Sequence, residues 1–530
     1  MPTSSSSSVD SRQATFTDQI ARHPILSCDM TIAWILAIAA FTLQMVTNGR
    51  YGYFRDELYF LATSQHLAAG YVDFAPLAAW ILRLSRVLFG DSLHSIRFFP
   101  ALAFAGNILL TGLIARELGG RRFAVFFSCV SVLLAPVIVG NATRFSMNPF
   151  EPLFWMGCVL VLLRAINHDN PKLLVWCGVL VGLGLENKHS TAFFLIALLI
   201  GLLATQERRL FRTRWMWIAA AIIVLLALPN LIWQYQHQFA TWVDLRNVQI
   251  THKNVVLPPG RLLIQQIMML GPANALLWIA GLAFLLWHPT GKRYRVLGIT
   301  YLAFLAIMML LHAKDYYLAP IYPMLFGAGA VFWEILTTTQ ARLRWIRVVL
   351  PAAVIVLGVV ALPLTVPILP VDRIVPYMQG LGIKMSKTET HQAGALPQYF
   401  GDEFGWPEMV ATVAAVYNSL PPEERIKTGI LAGNYGEAGA IDFFGPRYGL
   451  PKSISAHQNY YYWGPREYTG ESLILLQWDL EDAQRWCQSV TAGPKLDPHY
   501  GMEEEHYTIL ICHHLKQPLQ SVWPKFKHWN

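Results

Sequence analysis

Apolar stretches of about 20 residues recur along most of this chain, and they restrict its fold more than any other feature. The hydrocarbon core of a bilayer is about 30 Å thick, which an α-helix crosses in about 20 residues. Only 14% of the 530 residues are charged, against about 25% in soluble proteins, so a soluble multidomain enzyme is excluded. We predict an α-helical polytopic membrane protein with about 11 transmembrane helices, at 31–47, 93–115, 123–140, 149–166, 173–187, 190–205, 215–235, 262–287, 296–312, 317–336 and 346–365.

A shorter apolar stretch, PLAAWILRLSRVLFG at 76–90, contains Arg83 and Arg86. It is too short to span easily and carries two charges three residues apart. The pattern favours an amphipathic helix that lies in the membrane interface.

The basic residues indicate an orientation. The formal net charge is +8, yet the chain from Val371 onward is acidic, so the basic excess belongs to the membrane part. Cytoplasmic loops attract Lys and Arg, and no nucleic acid is needed to explain this excess. We predict a cytoplasmic N terminus and an outside C terminus, although one span more or fewer would invert this orientation. The loops concerned hold Arg116, Arg121, Arg122, Arg164, Lys172, Arg208, Arg209, Arg212, Arg214, Lys292, Arg293, Arg295, Arg342, Arg344 and Arg347.

The two ends of the chain differ from the apolar middle. Residues 1–30 are rich in serine and predict a disordered cytoplasmic tail. Residues 371–530 regain charges and alternate strand and helix patterns, which predicts a soluble extracytoplasmic α/β domain after a transmembrane domain at 31–370. The predicted strands are IKTGILAG, ESLILLQW and YTILICHHL, and the predicted helices are WPEMVATVAAVYNSL and LEDAQRWCQSV. In an oxidising compartment Cys487 and Cys512 could form a disulfide.

The first outside loop, at 48–92, carries the most informative carboxylates. Asp56 and Glu57 follow an aromatic cluster, and Asp73 precedes Pro76. A carboxylate held beside an acceptor hydroxyl or amine can act as a general base, whereas the alternative is a solvated carboxylate at the membrane surface. Adjacent residues on a helix point about 100° apart, so Asp56 and Glu57 are not expected to share one task.

At this loop the sequence resembles a known family. The run FRDELYFLATSQHLAAGYVDFAPL is similar to the first extracytoplasmic loop of the glycosyltransferase-C superfamily, specifically family 39-like and aminoarabinose-transferase-like enzymes related to protein O-mannosyltransferases. The resemblance implies a multi-span bundle, a polyprenyl-phosphate sugar donor, and a catalytic Asp-Glu pair that maps onto Asp56 and Glu57. A second acidic position maps onto Asp73, but the basic neighbour that relatives often carry there is absent, because Phe74 follows Asp73 here.

A second element, HAKDYYLAPIYPMLFGAGA at 312–330, resembles the family's Lys/Arg-x-Tyr-Tyr-Leu-x-Pro-x-Tyr-Pro string. Lys314 with Tyr316 or Tyr317 is chemically suited to hold a lipid phosphate through charge-assisted hydrogen bonds. The alternative is an interfacial aromatic belt with a snorkelling lysine.

Further phosphate-binding candidates lie in two other loops. ENKHSTAF at 186–193 places Lys188 and His189 between two apolar runs, and the resemblance implies a lysine near the carrier phosphate there. An ordinary polar turn is the alternative for this segment. Arg144 comes from NATRFSMNP on the same side. No spacing of ligating residues indicates a metal site, so none is assigned, although related enzymes can bind a divalent metal ion.

These features predict a hexosyl or pentosyl transferase in the inner (plasma) membrane. It would move a sugar from a polyprenyl-phosphate carrier to a protein, lipid A or glycan acceptor at the outer face, with Asp56 as general base. A transporter or flippase for lipids or glycolipids is the rival, and it predicts charged or broken helices at the bilayer midplane. A catalytically silent partner subunit is the third reading.

Overall fold

The computed structural model describes residues 29–383 and 394–529. The tail predicted at 1–30 therefore lies outside the described residues except for Asp29 and Met30. The first part of the chain is helical, with α-helices at Thr31–Thr47, Arg55–Thr63, Leu77–Phe89, Leu93–Ile96, Phe98–Glu117, Arg122–Leu134, Pro136–Asn141, Glu151–Asn167, Leu174–Asn187, Thr191–Leu203, Arg214–Gln236, Ala240–Ile250, Pro259–Leu270, Pro272–Trp287, Arg295–Leu310, Tyr322–Thr339, Ile346–Ala361 and Ile374–Gly380. Short 3-10 helices at Pro171–Leu173, Gln206–Arg212, Gly291–Tyr294, Asp315–Ile321, Ala341–Leu343, Leu362–Leu364 and Val371–Arg373 join several of them.

Each predicted span contains a helix, but the helices differ in length. In the described part of the chain, five helices are long and apolar enough to cross a membrane, or up to seven if each of two bent pairs is one span. The prediction of one continuous helix over 262–287 is wrong, because Pro259–Leu270 and Pro272–Trp287 meet at 112°. Gly271 adopts a left-handed φ of +89° at the bend, and the proline after it lacks the N–H that a continued helix needs.

Contacts between loops show which loops share an end of the helical part. The predicted basic loops meet at one end, through contacts of Asp29 with Arg116 and Arg122, Glu117 with Arg164, Asp169 with Arg209, Glu334 with the Arg121 N–H, and the Ile166 carbonyl with Arg293. The helix Thr31–Thr47 leads from Asp29 to the opposite end. The loop with Asp56 lies at that opposite end, as does the C-terminal part of the chain that packs on it.

The C-terminal part is an α/β unit around a five-stranded sheet. Its strands are β1 (Thr428–Ala432), β2 (Ile454–Ser455), β3 (Ser472–Leu475), β4 (Cys487–Lys495) and β5 (Thr508–Leu515), in the order β2-β1-β3-β5-β4. The β1 strand is parallel to β2 and β3, whereas β5 is antiparallel to β3 and β4. Its α-helices are Gln398–Gly401, Trp406–Ser419, Pro422–Arg425, Tyr435–Phe444, Gln458–Trp463, Leu480–Trp486 and Leu519–Phe526, with 3-10 helices at Gly445–Tyr448 and Glu503–Glu505.

Two details of this unit depart from or extend the sequence reading. The helix predicted over LEDAQRWCQSV ends at Trp486, because Cys487 begins β4 and pairs with Leu515 of β5. Cys487 and Cys512 form a disulfide between these two strands. The disulfide joins the edge strand β4 covalently to the sheet.

The α/β unit packs closely on the helical part through the helix Arg55–Thr63. A Cβ atom added at Gly439 would lie 2.6 Å from the Leu58 carbonyl oxygen, and one at Gly436 would lie 2.6 Å from Cγ of Arg55. Glycine is thus required at both positions for the helix Tyr435–Phe444 to approach this backbone. The close contact brings side chains of both parts into one site.

Candidate active site

Asp56 lies in the first turn of the helix Arg55–Thr63, where it meets the α/β unit. Oδ1 of Asp56 accepts a hydrogen bond from the phenol of Tyr435 at 2.8 Å, and the two residues are 379 positions apart in the chain. A hydrogen bond to a carboxylate favours its ionised form and fixes its direction. Both effects suit a group that accepts a proton.

Tyr435 is itself held on three sides. Its ring stacks on Tyr59 with 4.6 Å between ring centroids and on His457 with 4.9 Å. The guanidinium of Arg55 lies 5.4 Å from the ring centroid, which adds a cation–π attraction. The Tyr435 phenol is therefore directed at Asp56 by packing from both parts of the chain.

Asp73 belongs to the same cluster. The phenol of Tyr59 donates to Oδ1 of Asp73 at 3.0 Å, and Tyr59 is the residue on which Tyr435 stacks. Burial and, next, the nearby charge of Asp244 raise the pKa of Asp73 to about 8, and Asp56 acts in the same direction. The structure thus brings two predicted carboxylates together through a pair of stacked tyrosines, and Asp73 is mostly protonated at neutral pH.

Glu57 points away from this cluster and is fully engaged. Arg97 binds both of its oxygens, at 2.8 and 2.7 Å, and the N–H groups of Phe54 and Phe145 donate to it at 2.9 and 2.7 Å. Arg97 also donates to the carbonyl oxygen of Gly52 at 2.9 Å, and it is only 1% exposed. This geometry favours Glu57 as the anchor of the loop, in keeping with the expectation that the two neighbours have different tasks.

Lys188 is buried and faces the tyrosines of the second predicted element. Nζ lies 4.3 Å from the ring centroid of Tyr317 and 5.6 Å from that of Tyr316. It donates to Oδ1 of Asn148 at 2.9 Å and to Oε2 of Glu151 at 3.1 Å. Two segments that were proposed separately as phosphate-binding, 186–193 and 312–330, therefore meet in one cluster.

The segment 142–150 connects this lysine cluster to the carboxylate loop. Phe145 donates its N–H to Glu57, and Asn148 accepts from Lys188. Three residues of chain span at most about 11 Å between Cα atoms. The Asp56 loop and Lys188 are consequently neighbours at the same end of the helical part.

The other predicted phosphate ligands have different positions. Arg144 binds Glu403, with Nε to Oε1 at 2.6 Å, and is 5.2 Å from the Phe54 ring centroid. His189 shares a hydrogen bond with Asn230 at 3.1 Å. Lys314 directly precedes the 3-10 helix that carries both tyrosines, and its carbonyl oxygen accepts from the Tyr317 N–H at 3.1 Å. Of this group, Lys314 is the one that belongs to the same element as the tyrosines facing Lys188.

Sequence reasoning missed the residues that support the site. Tyr435 lies in a glycine-rich turn and Tyr59 in an aromatic run, and neither pattern marks a partner for a distant carboxylate. Glu151 and Asn148 are not marked as partners of Lys188 by any local pattern. Arg97 offered a detectable signal, since a lone arginine beside an apolar run needs a partner when it is buried.

Within 29–383 and 394–529, no group of three or more His, Cys, Asp or Glu side chains is arranged to hold a metal ion.

Comparison with known proteins agrees with this architecture. A family model for dolichyl-phosphate-mannose-protein mannosyltransferase matches residues 73–233. The lipid A galacturonosyltransferase RgtD of Rhizobium johnstonii is 27% identical over 211 residues, which cover 39% of this chain and 44% of that protein. An undecaprenyl phosphate-alpha-4-amino-4-deoxy-L-arabinose arabinosyl transferase of Pseudomonas fluorescens is 24% identical over 230 residues, covering 41% of this chain and 39% of that protein. The chain thus matches less than half the length of these relatives.

A solved structure extends the likeness in fold to almost the whole chain. The crystal structure of ArnT from Cupriavidus metallidurans bound to undecaprenyl phosphate has a TM-score of 0.59 and 12% sequence identity, and it covers 90% of this chain and 97% of that one. The same ArnT in the apo state has a TM-score of 0.57. The resemblance to the glycosyltransferase-C superfamily, of the aminoarabinose-transferase-like type, is confirmed.

Proposed function

We propose that this multi-pass membrane protein transfers a sugar from a polyprenyl-phosphate carrier to an acceptor hydroxyl or amine, with Asp56 as the general base. The observation that carries the proposal is the hydrogen bond of 2.8 Å that holds Asp56, at the same end of the helical part as the buried lysine that faces Tyr317. A base and a fixed cation at one end of the helical part match the two charges that develop in such a transfer.

The reaction is a displacement at the anomeric carbon. Asp56 accepts the proton of the acceptor O–H or N–H as that atom forms a bond to the anomeric carbon. The bond from this carbon to the phosphate oxygen breaks, and its electron pair leaves on the polyprenyl phosphate. Attack from the face opposite the leaving group inverts the configuration of the sugar.

Lys188 is the proposed partner of the leaving phosphate. A lysine ammonium has three donors, of which Asn148 and Glu151 take two. We assign the third to a phosphate oxygen, with Tyr316, Tyr317 and Lys314 beside it as further donors. A fixed cation stabilises the negative charge that grows on the phosphate as the bond breaks.

We infer the chemical class of the sugar donor and of the acceptor from the names of the related transferases. The two transferases named above act, by their names, on lipid A or use an undecaprenyl-phosphate sugar. We extend to this chain a polyprenyl-phosphate sugar donor, and a lipid A or other glycan or protein acceptor.

We further propose that the chain crosses the membrane about 11 times. The end with the basic loops is cytoplasmic, and the end with Asp56 is extracytoplasmic, together with a soluble domain from about residue 371 onward. The clustering of the basic loops at one end supports this orientation through the positive-inside rule. The disulfide in the α/β unit supports an oxidising compartment for the other end.

Release of labelled sugar from a panel of polyprenyl-phosphate sugars tests the proposal. Membranes with the parent chain should consume at least one donor, whereas membranes with matched amounts of Asp56→Asn should not. If both proteins bind a donor and neither consumes it, the transporter or the silent-partner alternative replaces the transferase.

A further inference from the structure

A groove of about 460 Å³ opens at the carboxyl ends of β1 and β3 in the α/β unit. Its floor is formed by the residues that follow these strands, including Gly433 and Gln477. The volume lies within the range of about 300–1,000 Å³ that is typical of small-molecule sites. The reaction proposed above does not use this groove.

The strand order gives the groove a specific position. The chain passes from β1 to β2 on one side of β1, and then crosses to β3 on the other side. The strands β1 and β3 are parallel neighbours whose connections run in opposite directions, which defines a topological switch point. Open α/β sheets bind their ligands in the crevice at this point.

The chemistry of the groove disfavours phosphate and nucleotides. The N–H groups of Gly433 and Asn434 donate to Oε2 of Glu437 at 2.8 and 3.2 Å. Those of Gly436 and Glu437 donate to Oδ1 of Asn434 at 2.8 and 3.0 Å. The backbone donors that would cradle a phosphate are occupied, and the groove also presents the carboxylates of Asp479 and Asp482.

Three aromatic rings line the wall beside these carboxylates. Phe526 packs edge-to-face with Trp478 at 5.4 Å and with Trp486 at 5.0 Å between ring centroids. Sugar rings combine apolar C–H faces, which pack on aromatic rings, with hydroxyl groups that donate to carboxylates. Asp479 is suited to accept such bonds, because its side chain has no hydrogen bond or ion pair within the described part of the chain.

We propose that this groove binds a saccharide unit, neutral or amino-bearing, through Trp478, Trp486 and Asp479. The groove also lies near the candidate active site. His528, which lines it, stacks on His457 at 4.7 Å, and His457 stacks on Tyr435, which holds Asp56. Two stacking contacts, His528 on His457 and His457 on Tyr435, thus connect the groove to the tyrosine that positions the base. If the acceptor is a glycan, the groove is suited to bind one of its sugar units remote from the reacting one.

The binding test uses the full chain in lipid nanodiscs with Asp56→Asn, so that turnover cannot complicate it. Saturation-transfer NMR and calorimetry measure the binding of cellobiose, chitobiose and glucosamine. We expect at least one to bind, and Asp479→Asn to weaken its binding about tenfold or more, as for loss of a hydrogen bond to a charged group. A larger loss for glucosamine than for cellobiose assigns the Asp479 contact to an amino group, and an equal loss assigns it to the hydroxyl groups that both sugars carry.

Glu481→Gln is the matched control, because Glu481 is an exposed carboxylate on the helix that directly follows Asp479, and it does not line the groove. Trp486→Ala removes a stacking surface and should also weaken binding. If Trp486→Ala fails to fold, the Asp479→Asn variant still tests the proposal. Absence of binding by every saccharide overturns the proposal, as does binding that Asp479→Asn leaves unchanged. Displacement of a bound saccharide by inorganic phosphate would also contradict it. Binding is measured without transfer, so the result is independent of the proposed reaction.

Discussion

The phenol of Tyr435 lies 2.8 Å from Oδ1 of Asp56 and donates a hydrogen bond to it. The donor belongs to the α/β unit and the acceptor to the first loop of the helical part. Tyr435 is therefore a positioning residue for the proposed base, and the α/β unit contributes directly to the candidate active site.

Tyr435→Phe should lower transfer without abolishing it. Loss of a hydrogen bond to a carboxylate costs about 1.5–3 kcal/mol, and the ionised form of Asp56 loses that stabilisation. The acid limb of the pH–rate profile should move to higher pH, and activity should recover in part above it. Tyr448→Phe, which alters an exposed tyrosine of the same unit (45% exposed), should leave the profile unchanged. A uniform loss at all pH values would indicate a structural role for Tyr435 instead.

Asp73 should make the protein less stable as the pH rises. Its pKa is raised from 3.8 to about 8 by burial and by Asp244. Between about pH 4 and pH 8 the folded state binds a proton there that the unfolded chain has lost, so stability falls as the pH rises through this window. Thermal unfolding at pH 5 and at pH 8.5 should show a smaller change for Asp73→Asn than for the parent.

Asp372→Asn is the control for this pH dependence, because the Asp372 side chain is 59% exposed. It should behave like the parent. An equal pH dependence in the parent and in Asp73→Asn would show that Asp73 is ionised at neutral pH.

Replacement of Lys188 separates its role in binding from its role in folding. Lys188→Met leaves the buried Glu151 carboxylate without its cation, which costs about 3–5 kcal/mol of stability. The double variant Lys188→Met with Glu151→Gln removes both charges and should regain stability. It should still bind polyprenyl phosphate about tenfold more weakly or worse.

The double variant is compared with Glu151→Gln alone, which keeps the cation. Binding of polyprenyl phosphate in nanodiscs is the measurement. Equal affinity for the double variant and for Glu151→Gln alone would remove Lys188 from the phosphate site.

The disulfide between Cys487 and Cys512 should stabilise the α/β unit. It closes a loop of 25 residues, for which the loss of unfolded-state entropy predicts about 3 kcal/mol. Cys487→Ser with Cys512→Ser should therefore unfold at lower temperature than the parent. Both cysteines are buried, so thiol labelling is done after whole cells are acid-quenched and denatured. Labelling of these two positions should require prior reduction, whereas labelling without reduction would contradict an oxidising compartment.

The sequence predicted local features well and distant contacts poorly. Apolar runs of helical length predicted where helices lie, because lipid imposes that length on each segment separately. The break at Gly271 was missed, since a Gly-Pro pair inside an apolar run looks continuous by hydropathy alone. The end of the helix at Trp486 was missed because Cys487 is drawn into β4 by pairing with β5, a tertiary effect.

The candidate site shows the same division. Asp56, Asp73, Lys188 and Tyr317 were proposed from motifs near each one in the sequence. Their partners were not, because Tyr435 reaches Asp56 only after the α/β unit packs on the helical part. The motif does not distinguish the two adjacent carboxylates. The structure does, because Arg97 binds Glu57 and Tyr435 binds Asp56.

The most direct test of the account compares the parent chain with Asp56→Asn in sugar release from polyprenyl-phosphate sugars, at matched expression. Removal of a general base predicts a loss of about a hundredfold or more, with binding of the carrier retained because Lys188 is unchanged. Retention of full activity by Asp56→Asn would contradict the assignment of Asp56 as the base.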